Sequence, residues 1–209
     1  MHLKLPGCTA AFLIETHDGP VLVESGPASS LTYLCQGIQD AGFTPEDIRH
    51  VVLTHIHLDH AGAAGWFAQH GAEIYVHPVG APHLVDPSRL NSSARRIYGD
   101  TLDTVLGEME ACPEERVHAV SDTDDIRVGE CRLTAIETPG HAIHHHSWSV
   151  EINNERICFT GDVAGMRIPH SEAITIPFAP PEVDLERWHA SLDRIASLHP
   201  DALFLTHSG

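Results

Sequence analysis

The residues between positions 54 and 62 constrain the fold and function of this chain most, because they concentrate metal-ligand side chains at a predicted strand end. Six consecutive positions hold three histidines and an aspartate: His55, His57, Asp59 and His60. The apolar, β-branched residues before them predict a buried strand, and the alanine- and glycine-rich residues after them predict a turn into a helix. Side chains alternating off a strand end point to one side, so His55 and His57 can bind one ion. Asp59 and His60 follow the bend and can face a second ion, which predicts a dinuclear site.

Three further segments also combine a predicted strand with a ligand-type residue at its end. His141 follows a strand and a Pro-Gly turn, Asp162 follows a strand and a glycine, and His207 ends the last strand. In open sheets, sites gather outside strand ends, because loops converge there while the sheet stays rigid. The four strand ends therefore predict one shared site.

The order of the predicted elements favours an α/β fold. Strand pairs alternate with helices, which predicts two sheets packed face to face with helices outside. The chain opens with a predicted hairpin over residues 10–24. Ser29 and Ser30 are candidate N-caps for a helix that ends near Gly42, and Asp184 is the candidate N-cap for a later helix that ends at Pro200.

The four ligand segments occur in the order found in metallo-β-lactamase-fold hydrolases, which the chain resembles over nearly its whole length. It is most similar to the glyoxalase II-like and lactonase-like general hydrolases of that superfamily. The resemblance implies a four-layer αββα sandwich of two mixed β-sheets with helices on the outer faces. It also implies that His55, His57 and His141 bind a first metal ion. Asp59, His60 and His207 would bind a second, and Asp162 would bridge the two.

Imidazole and carboxylate ligands suit two zinc ions, with iron or manganese as alternatives. Two ions about 3.5–4 Å apart share a water and lower its pKa, giving a bridging hydroxide that attacks a carbonyl. Asp59 and Asp162 are the expected catalytic residues, because they orient this water in addition to binding metal. The sequence thus predicts a dinuclear hydrolase acting on a small ester, thioester or lactone.

Two other functions stay open. Persulfide dioxygenases keep a similar ligand run but use one iron held by two histidines and an aspartate, a set that His57 or His55, His141 and Asp162 would supply. The complete set for a second metal argues against that alternative. A catalytically silent metal-binding domain is the other alternative, and the complete ligand set makes it the weakest.

The expected substrate contacts are Arg167 and Tyr98. Arg167 is a candidate anion anchor, although a plain surface arginine explains it equally well. Tyr98 lies in a predicted helical insertion over residues 82–112, which forms either a rim over the site or an ordinary solvated helix. The sequence stops at Gly209, where many relatives of the family continue with C-terminal helices. We expect either the insertion or a homodimer contact to provide the missing wall of the pocket.

Composition excludes several classes of function. The net charge of −17, with Lys4 as the single lysine, disfavours nucleic-acid binding. A hydrophobic content of 42% over 209 residues predicts one globular domain spanning 1–209. No apolar run predicts a membrane span or a secretory signal. Five widely spaced cysteines without a C-x-x-C motif predict reduced thiols in a cytoplasmic protein that acts on a small molecule.

Most of the remaining histidines receive an ordinary interpretation as surface or core residues. This group contains His2, His17, His50, His70, His83, His118, His170, His189 and His199. The triplet His144-His145-His146 is different, because it lies close to His141 in sequence. We expect it to supply hydrogen-bond donors around the ligands. It also leaves open which histidine of that loop is the ligand.

Overall fold

The computed structural model describes residues 8–167, 173–178 and 182–207. His2, Lys4 and His170 lie outside the described residues, as do the last two residues of the chain. All five cysteines are free thiols.

The first sheet has five strands in the order β1-β2-β3-β4-β5. Strands β1 and β2 form the predicted antiparallel hairpin, and β2 to β5 are mutually parallel, so the sheet is mixed. Its strands are β1 (Phe12–Ile14), β2 (Val21–Val23), β3 (His50–Val52), β4 (Glu73–Val76) and β5 (Val117–Ala119). The strand predicted over residues 51–54 is therefore β3, which ends two residues earlier.

The second sheet also has five strands, in the order β12-β9-β8-β7-β6. Strand β12 is parallel to β9, and the other pairs are antiparallel, so this sheet is mixed too. A two-stranded ribbon of β10 (Met166–Arg167) and β11 (Ile174–Thr175) lies apart from it. The main strands are β6 (Asp125–Val128), β7 (Cys131–Glu137), β8 (His146–Ile152), β9 (Glu155–Gly161) and β12 (Ala202–Leu205).

Seven α-helices are described, and three of them fill the segment predicted as helical over residues 82–112. They are α1 (Leu31–Asp40), α2 (Leu58–Ala61), α3 (Ala64–Gln69), α4 (Ala81–Val85), α5 (Ser88–Tyr98), α6 (Leu102–Val105) and α7 (Leu185–Ser197). None of the described helices is long and apolar enough to cross a membrane.

The two predicted helix caps have different outcomes. Asp184 caps α7, because its carboxylate accepts a hydrogen bond of 3.1 Å from the amide of Arg187. Of the two serines predicted for α1, Ser30 is the N-cap residue, but its hydroxyl makes no capping hydrogen bond. A 3-10 turn over Ala28–Ser30 precedes α1, and the Ser29 hydroxyl donates instead to the carbonyl of Val105.

Alternating side chains on the strands build the four layers. Val21, Val23 and Val52 point between the sheets, where they pack with Leu133 and Trp148 of the second sheet. Their neighbours in sequence face the opposite way, because successive side chains of a strand point to opposite faces.

The outward-facing residues of the two sheets bury separate layers of helix. Leu22 and Val51 pack against Ile38 and Phe67 of α1 and α3. On the other side of the molecule, α7 packs against the second sheet through Trp188 and Ile195. The predicted αββα sandwich is confirmed.

Candidate metal centre

Four strands deliver ligand-type residues to one edge of the sandwich, as predicted. Strands β7, β9 and β12 run in the same direction, so their carboxyl ends meet at the same edge of the second sheet. The two sheets are joined there, since the Trp148 indole donates to the Leu53 carbonyl at 2.9 Å. The His146 amide donates to the Thr54 carbonyl at 2.7 Å. These bonds hold the end of β3 against the ends of the other strands.

His55, His57 and His141 form the first triad. The His57 Nδ1 atom lies 2.9 Å from His55 Nε2 and 3.0 Å from His141 Nε2. Each of the three offers one nitrogen to a common point. Unprotonated imidazole nitrogens turn lone pairs toward one another at such distances, which a shared cation relieves.

Asp59, His60 and His207 form the second triad. The Nε2 atoms of His60 and His207 are 3.2 Å apart. The Asp59 Oδ2 atom lies 3.4 Å from the His207 nitrogen and 3.8 Å from the His60 nitrogen. Both histidines are buried, although His207 lies close to the end of the sequence.

The Asp162 carboxylate lies between the triads. Its Oδ2 atom is 3.2 Å from His141 Nε2 and 4.0 Å from His55 Nε2. Its Oδ1 atom is 3.3 Å from the Nε2 atoms of both His60 and His207. Although Oδ1 is buried, it has no partner with hydrogen-bond geometry among the described residues. An orphaned carboxylate oxygen facing two imidazole nitrogens fits a divalent cation, so the residues present fit a two-metal centre.

The other ring nitrogen of several ligands is held by a neighbouring oxygen. His141 Nδ1 lies 2.9 Å from the Pro177 carbonyl, and His207 Nδ1 lies 3.1 Å from the Cys8 carbonyl. Main-chain carbonyls only accept, so each Nδ1 carries a proton and leaves Nε2 for the site. The contacts therefore select the tautomer that binding requires.

The turn that presents His141 is braced by α7. Gly140 has a φ of 132°, and a Cβ atom there would lie 2.4 Å from the Trp188 Cα atom. The Gly140 carbonyl accepts a hydrogen bond from the Asp184 amide, and the Ser191 hydroxyl donates to the Pro139 carbonyl. Only glycine permits this approach, which explains the Pro-Gly pair before His141.

Glu24 contributes to the site although sequence analysis did not select it. It is fully buried with a φ of 66°, and its Oε1 atom lies 3.1 Å from His60 Nδ1. The same oxygen accepts hydrogen bonds from the hydroxyls of Thr54 and Thr206. Glutamate at the end of β2 thus ties β3 and β12 to a ligand. A carboxylate after an apolar strand is the signal that could have identified it.

The two triads have opposite electrostatics. Burial and the neighbouring imidazoles hold the pKa of His55 well below its ordinary value, and they lower the pKa of His57 to about 4. Burial also lowers the pKa of His60, but the charges of Asp162 and Asp59 outweigh it and raise that pKa well above the ordinary value. Burial similarly opposes the contacts of His207 with those carboxylates, which raise its pKa to about 10.

The three consecutive histidines after His141 have separate environments, and none of them enters a triad. The His144 ring centroid lies 5.5 Å from that of His57, and its Nε2 atom is 3.8 Å from Glu182 Oε2. His145 contacts Asp162, but it accepts a hydrogen bond from the Asp162 amide instead of donating one. His146 packs against His77. The expectation that all three histidines donate hydrogen bonds to the ligands was therefore wrong, because the one that contacts a candidate ligand, His145, accepts its hydrogen bond.

The two expected substrate contacts, Tyr98 and Arg167, are related to the triads in different ways. Tyr98 ends α5 and is 40% exposed, and burial together with the charge of Asp59 raises its pKa. Arg167 is exposed on β10, and the contact that ties it to the site is its amide, 3.3 Å from the His207 carbonyl. No contact of its guanidinium with either triad is found among the described residues.

Comparisons with known proteins agree with this geometry. The sequence profile of the metallo-beta-lactamase superfamily matches residues 6–207. The metallo-beta-lactamase fold-containing protein ST1585 of Sulfurisphaera tokodaii is 30% identical over 211 residues, which cover 99% of this chain and 75% of that protein. The crystal structure of ST1585 has a TM-score of 0.78 at 26% identity, covering 100% of this chain and 77% of that chain.

An enzyme of known activity is similar at comparable identity. The N-acyl homoserine lactonase AttM of Agrobacterium fabrum is 29% identical over 178 residues. The aligned part covers 81% of this chain but only 61% of the lactonase.

Proposed function

The chain belongs to the metallo-β-lactamase superfamily and is a metal-dependent hydrolase by class, and from this premise we propose that it uses two metal ions to hydrolyse a small ester, thioester or lactone. One observation carries the proposal. The two oxygens of Asp162 face two complete ligand triads, with Oδ2 toward His141 and Oδ1 toward His60 and His207. A single bound ion would leave one of the two triads without a metal.

Histidine-rich donor sets favour zinc, with iron and manganese as alternatives. Two bound divalent ions would lower the pKa of a water between them and polarise the substrate carbonyl. Asp162 lies between the two triads, and Asp59 and Asp162 would accept hydrogen bonds from the attacking water and so orient it. The main-chain carbonyls behind His141 and His207 keep both rings in the binding tautomer.

The substrate class rests on charge and on a relative. The net charge of −17 repels polyanions such as nucleic acids and leaves small neutral or weakly anionic substrates. AttM is a lactonase of similar sequence, which supports a lactone or a related acyl compound for this chain. Tyr98, whose pKa is raised partly by the charge of Asp59, is the first candidate for a substrate contact, and Arg167 is the second.

Metal analysis combined with a substrate panel tests the proposal. We expect about two ions of zinc, manganese or iron per chain, with hydrolysis of at least one lactone, ester or thioester. Chelation should abolish hydrolysis, and the added metal should restore it. His57→Ala should also abolish it, while His17→Ala, at an exposed histidine paired with Glu130, should not. A single iron per chain with oxygen uptake on persulfides would replace the proposal with the dioxygenase alternative.

A further inference from the structure

His145 is fully buried and supplies no ligand atom to either triad, although its ring centroid lies 5.0 Å from that of His55. Both of its ring nitrogens have specific partners. Its Nε2 atom accepts a hydrogen bond of 3.1 Å from the Asp162 amide. Its Nδ1 atom lies 2.8 Å from the Thr138 hydroxyl. The ring thus bridges the end of β7 and the loop that carries the Asp162 carboxylate.

The partners determine which nitrogen carries the proton. A main-chain amide only donates, so Nε2 must be an unprotonated acceptor. The proton of the neutral ring therefore lies on Nδ1, which donates to Thr138. The Thr138 hydroxyl is in turn 3.1 Å from the Ser147 hydroxyl, whose own acceptor is the Thr160 carbonyl of β9. This chain of hydrogen bonds begins and ends on the strand that delivers Asp162.

The backbone before Asp162 is shaped around the same ring. Gly161 has a φ of 52°, and a Cβ atom there would lie 2.6 Å from His145 Nε2. The ring therefore occupies the space where any other residue would place its side chain. The bend from β9 into Asp162 and the position of His145 depend on each other.

We propose that His145 is a positioning residue that holds the Asp162 amide and so fixes the Asp162 carboxylate between the two triads. The proposal rests on the two-metal centre proposed above. It adds a specific role for one histidine of the triplet, because the two oxygens of Asp162 face both triads and would be shared by both ions. An unheld amide leaves this loop free to rotate, which weakens the binding of the second ion most.

The next residue in sequence provides a matched control. His146 is equally buried, but both of its ring nitrogens lack hydrogen-bond partners among the described residues, and its ring packs against His77 and Trp148. A hydrophobic replacement at position 146 removes a buried imidazole without touching Asp162. His145→Leu and His146→Leu therefore differ in the contact that the proposal invokes.

The experiment measures zinc binding to the full chain by chelator competition, together with the melting temperature of the metal-free protein. For His145→Leu we expect the affinity for the second ion to fall by about 10–100-fold, whereas His146→Leu binds as the wild type does. His145→Gln, whose amide oxygen reaches the place of Nε2, should recover much of the affinity. His145→Asn, whose amide stops near the place of Nδ1, should not. The Gln and Asn variants keep the test decisive where the Leu variant fails to fold.

Each outcome separates this inference from the proposed function. Loss in His145→Leu and His145→Asn with recovery in His145→Gln supports the positioning role. Equal zinc affinity in all four variants and the wild type overturns it while the two-metal centre stands. A lower melting temperature of the metal-free protein with unchanged affinity also overturns it, since the role is then structural only. A wild-type chain that binds fewer than two ions overturns the two-metal centre and this inference together.

Discussion

The two triads are built from similar residues at neighbouring strand ends, but they hold protons differently. The first triad is made of three imidazoles, and burial lowers the pKa of each of them. The second triad contains a carboxylate beside two imidazoles whose pKa values are raised, because the charges of Asp59 and Asp162 outweigh burial. In the metal-free protein, the imidazoles of the first triad are uncharged at neutral pH. In the second triad, protons on His60 and His207 balance the negative charges of Asp59 and Asp162.

In the proposed two-metal centre, this difference would let one cleft bind two ions of the same charge. An ion at the first triad has no proton to displace, so it competes only with desolvation. An ion at the second triad must displace protons from His60 and His207, whose positive charge it then replaces. Asp162 couples the two events, because its oxygens face both triads.

Removing the Asp162 carboxylate should impair both triads at once, because its oxygens face both of them. Asp162→Asn keeps the size of the side chain but removes the negative charge that faces both triads. We expect hydrolysis to fall by well over about 10²-fold, since changes to the partners behind metal ligands already cost 10–100-fold. Metal analysis should show fewer than two ions per chain. A variant with full activity and two ions would refute the bridging role, and Glu130→Gln, at an exposed carboxylate, serves as the control.

Truncating one ligand on each side tests whether both triads are required. His57→Ala removes the nitrogen that lies 2.9 Å from His55 and 3.0 Å from His141, so the first ion and hydrolysis should be lost together. His207→Ala should leave one ion per chain and strongly reduced hydrolysis. The measurement is metal content and turnover for both variants, with circular dichroism to verify folding. Undiminished turnover in His207→Ala would show that one triad suffices, as in the mononuclear alternative.

A change of pH should affect the metal affinities of the two triads differently. Because the pKa of His207 is raised to about 10, its proton is present at pH 7 in the metal-free protein and opposes the second ion. The second affinity should therefore increase with pH between 6 and 9, roughly tenfold per unit for each displaced proton. The pKa of His57 is about 4, so the first affinity should stay nearly constant over that range.

Calorimetric titrations in two buffers of different ionisation enthalpy count the protons released with each ion. Protons released with the first ion and none with the second would reverse the assignment of the two triads. The metal-free protein provides an independent check of sign. The raised pKa of His207 contributes stability that is complete below its unfolded value and is lost as the pH rises toward 10. That contribution should disappear from the melting curve of His207→Ala.

The sequence predicted which residues approach each other, but not what holds them in place. Strand ends are local features, so the apolar runs before His55, His141, Asp162 and His207 were sufficient to predict that their side chains meet at one edge. The partner of a second ring nitrogen depends on how the two sheets pack. For that reason the sequence did not reveal that Glu24 contacts His60, or that His145 accepts a bond from the Asp162 amide.

The predicted substrate contacts show the same limit of sequence analysis. Tyr98 and Arg167 were selected by the same kind of argument, namely a polar side chain close in sequence to a predicted rim or ligand loop. The structure separates them, because Tyr98 senses the charge of Asp59, whereas the contact of Arg167 with the site is through its main chain. Helix direction and loop path decide such questions, and neither is encoded in a short motif.

The smallest effect is expected for Tyr98→Phe. The KM of this variant tests whether substrate binds on the side of the second triad. Tyr98→Phe removes a hydroxyl whose pKa is raised partly by the charge of Asp59 and which belongs to neither triad, so metal content should not change. Loss of a single hydrogen bond costs about 0.5–1.5 kcal/mol, so KM should rise several-fold while kcat changes less. Tyr33→Phe, at a tyrosine of α1 that is 58% exposed, is the matched control and should leave KM unaltered. An unchanged KM in Tyr98→Phe would place the substrate on the side of the first triad, beside His57 and His144, and would make the second triad a purely electrostatic partner of the reaction.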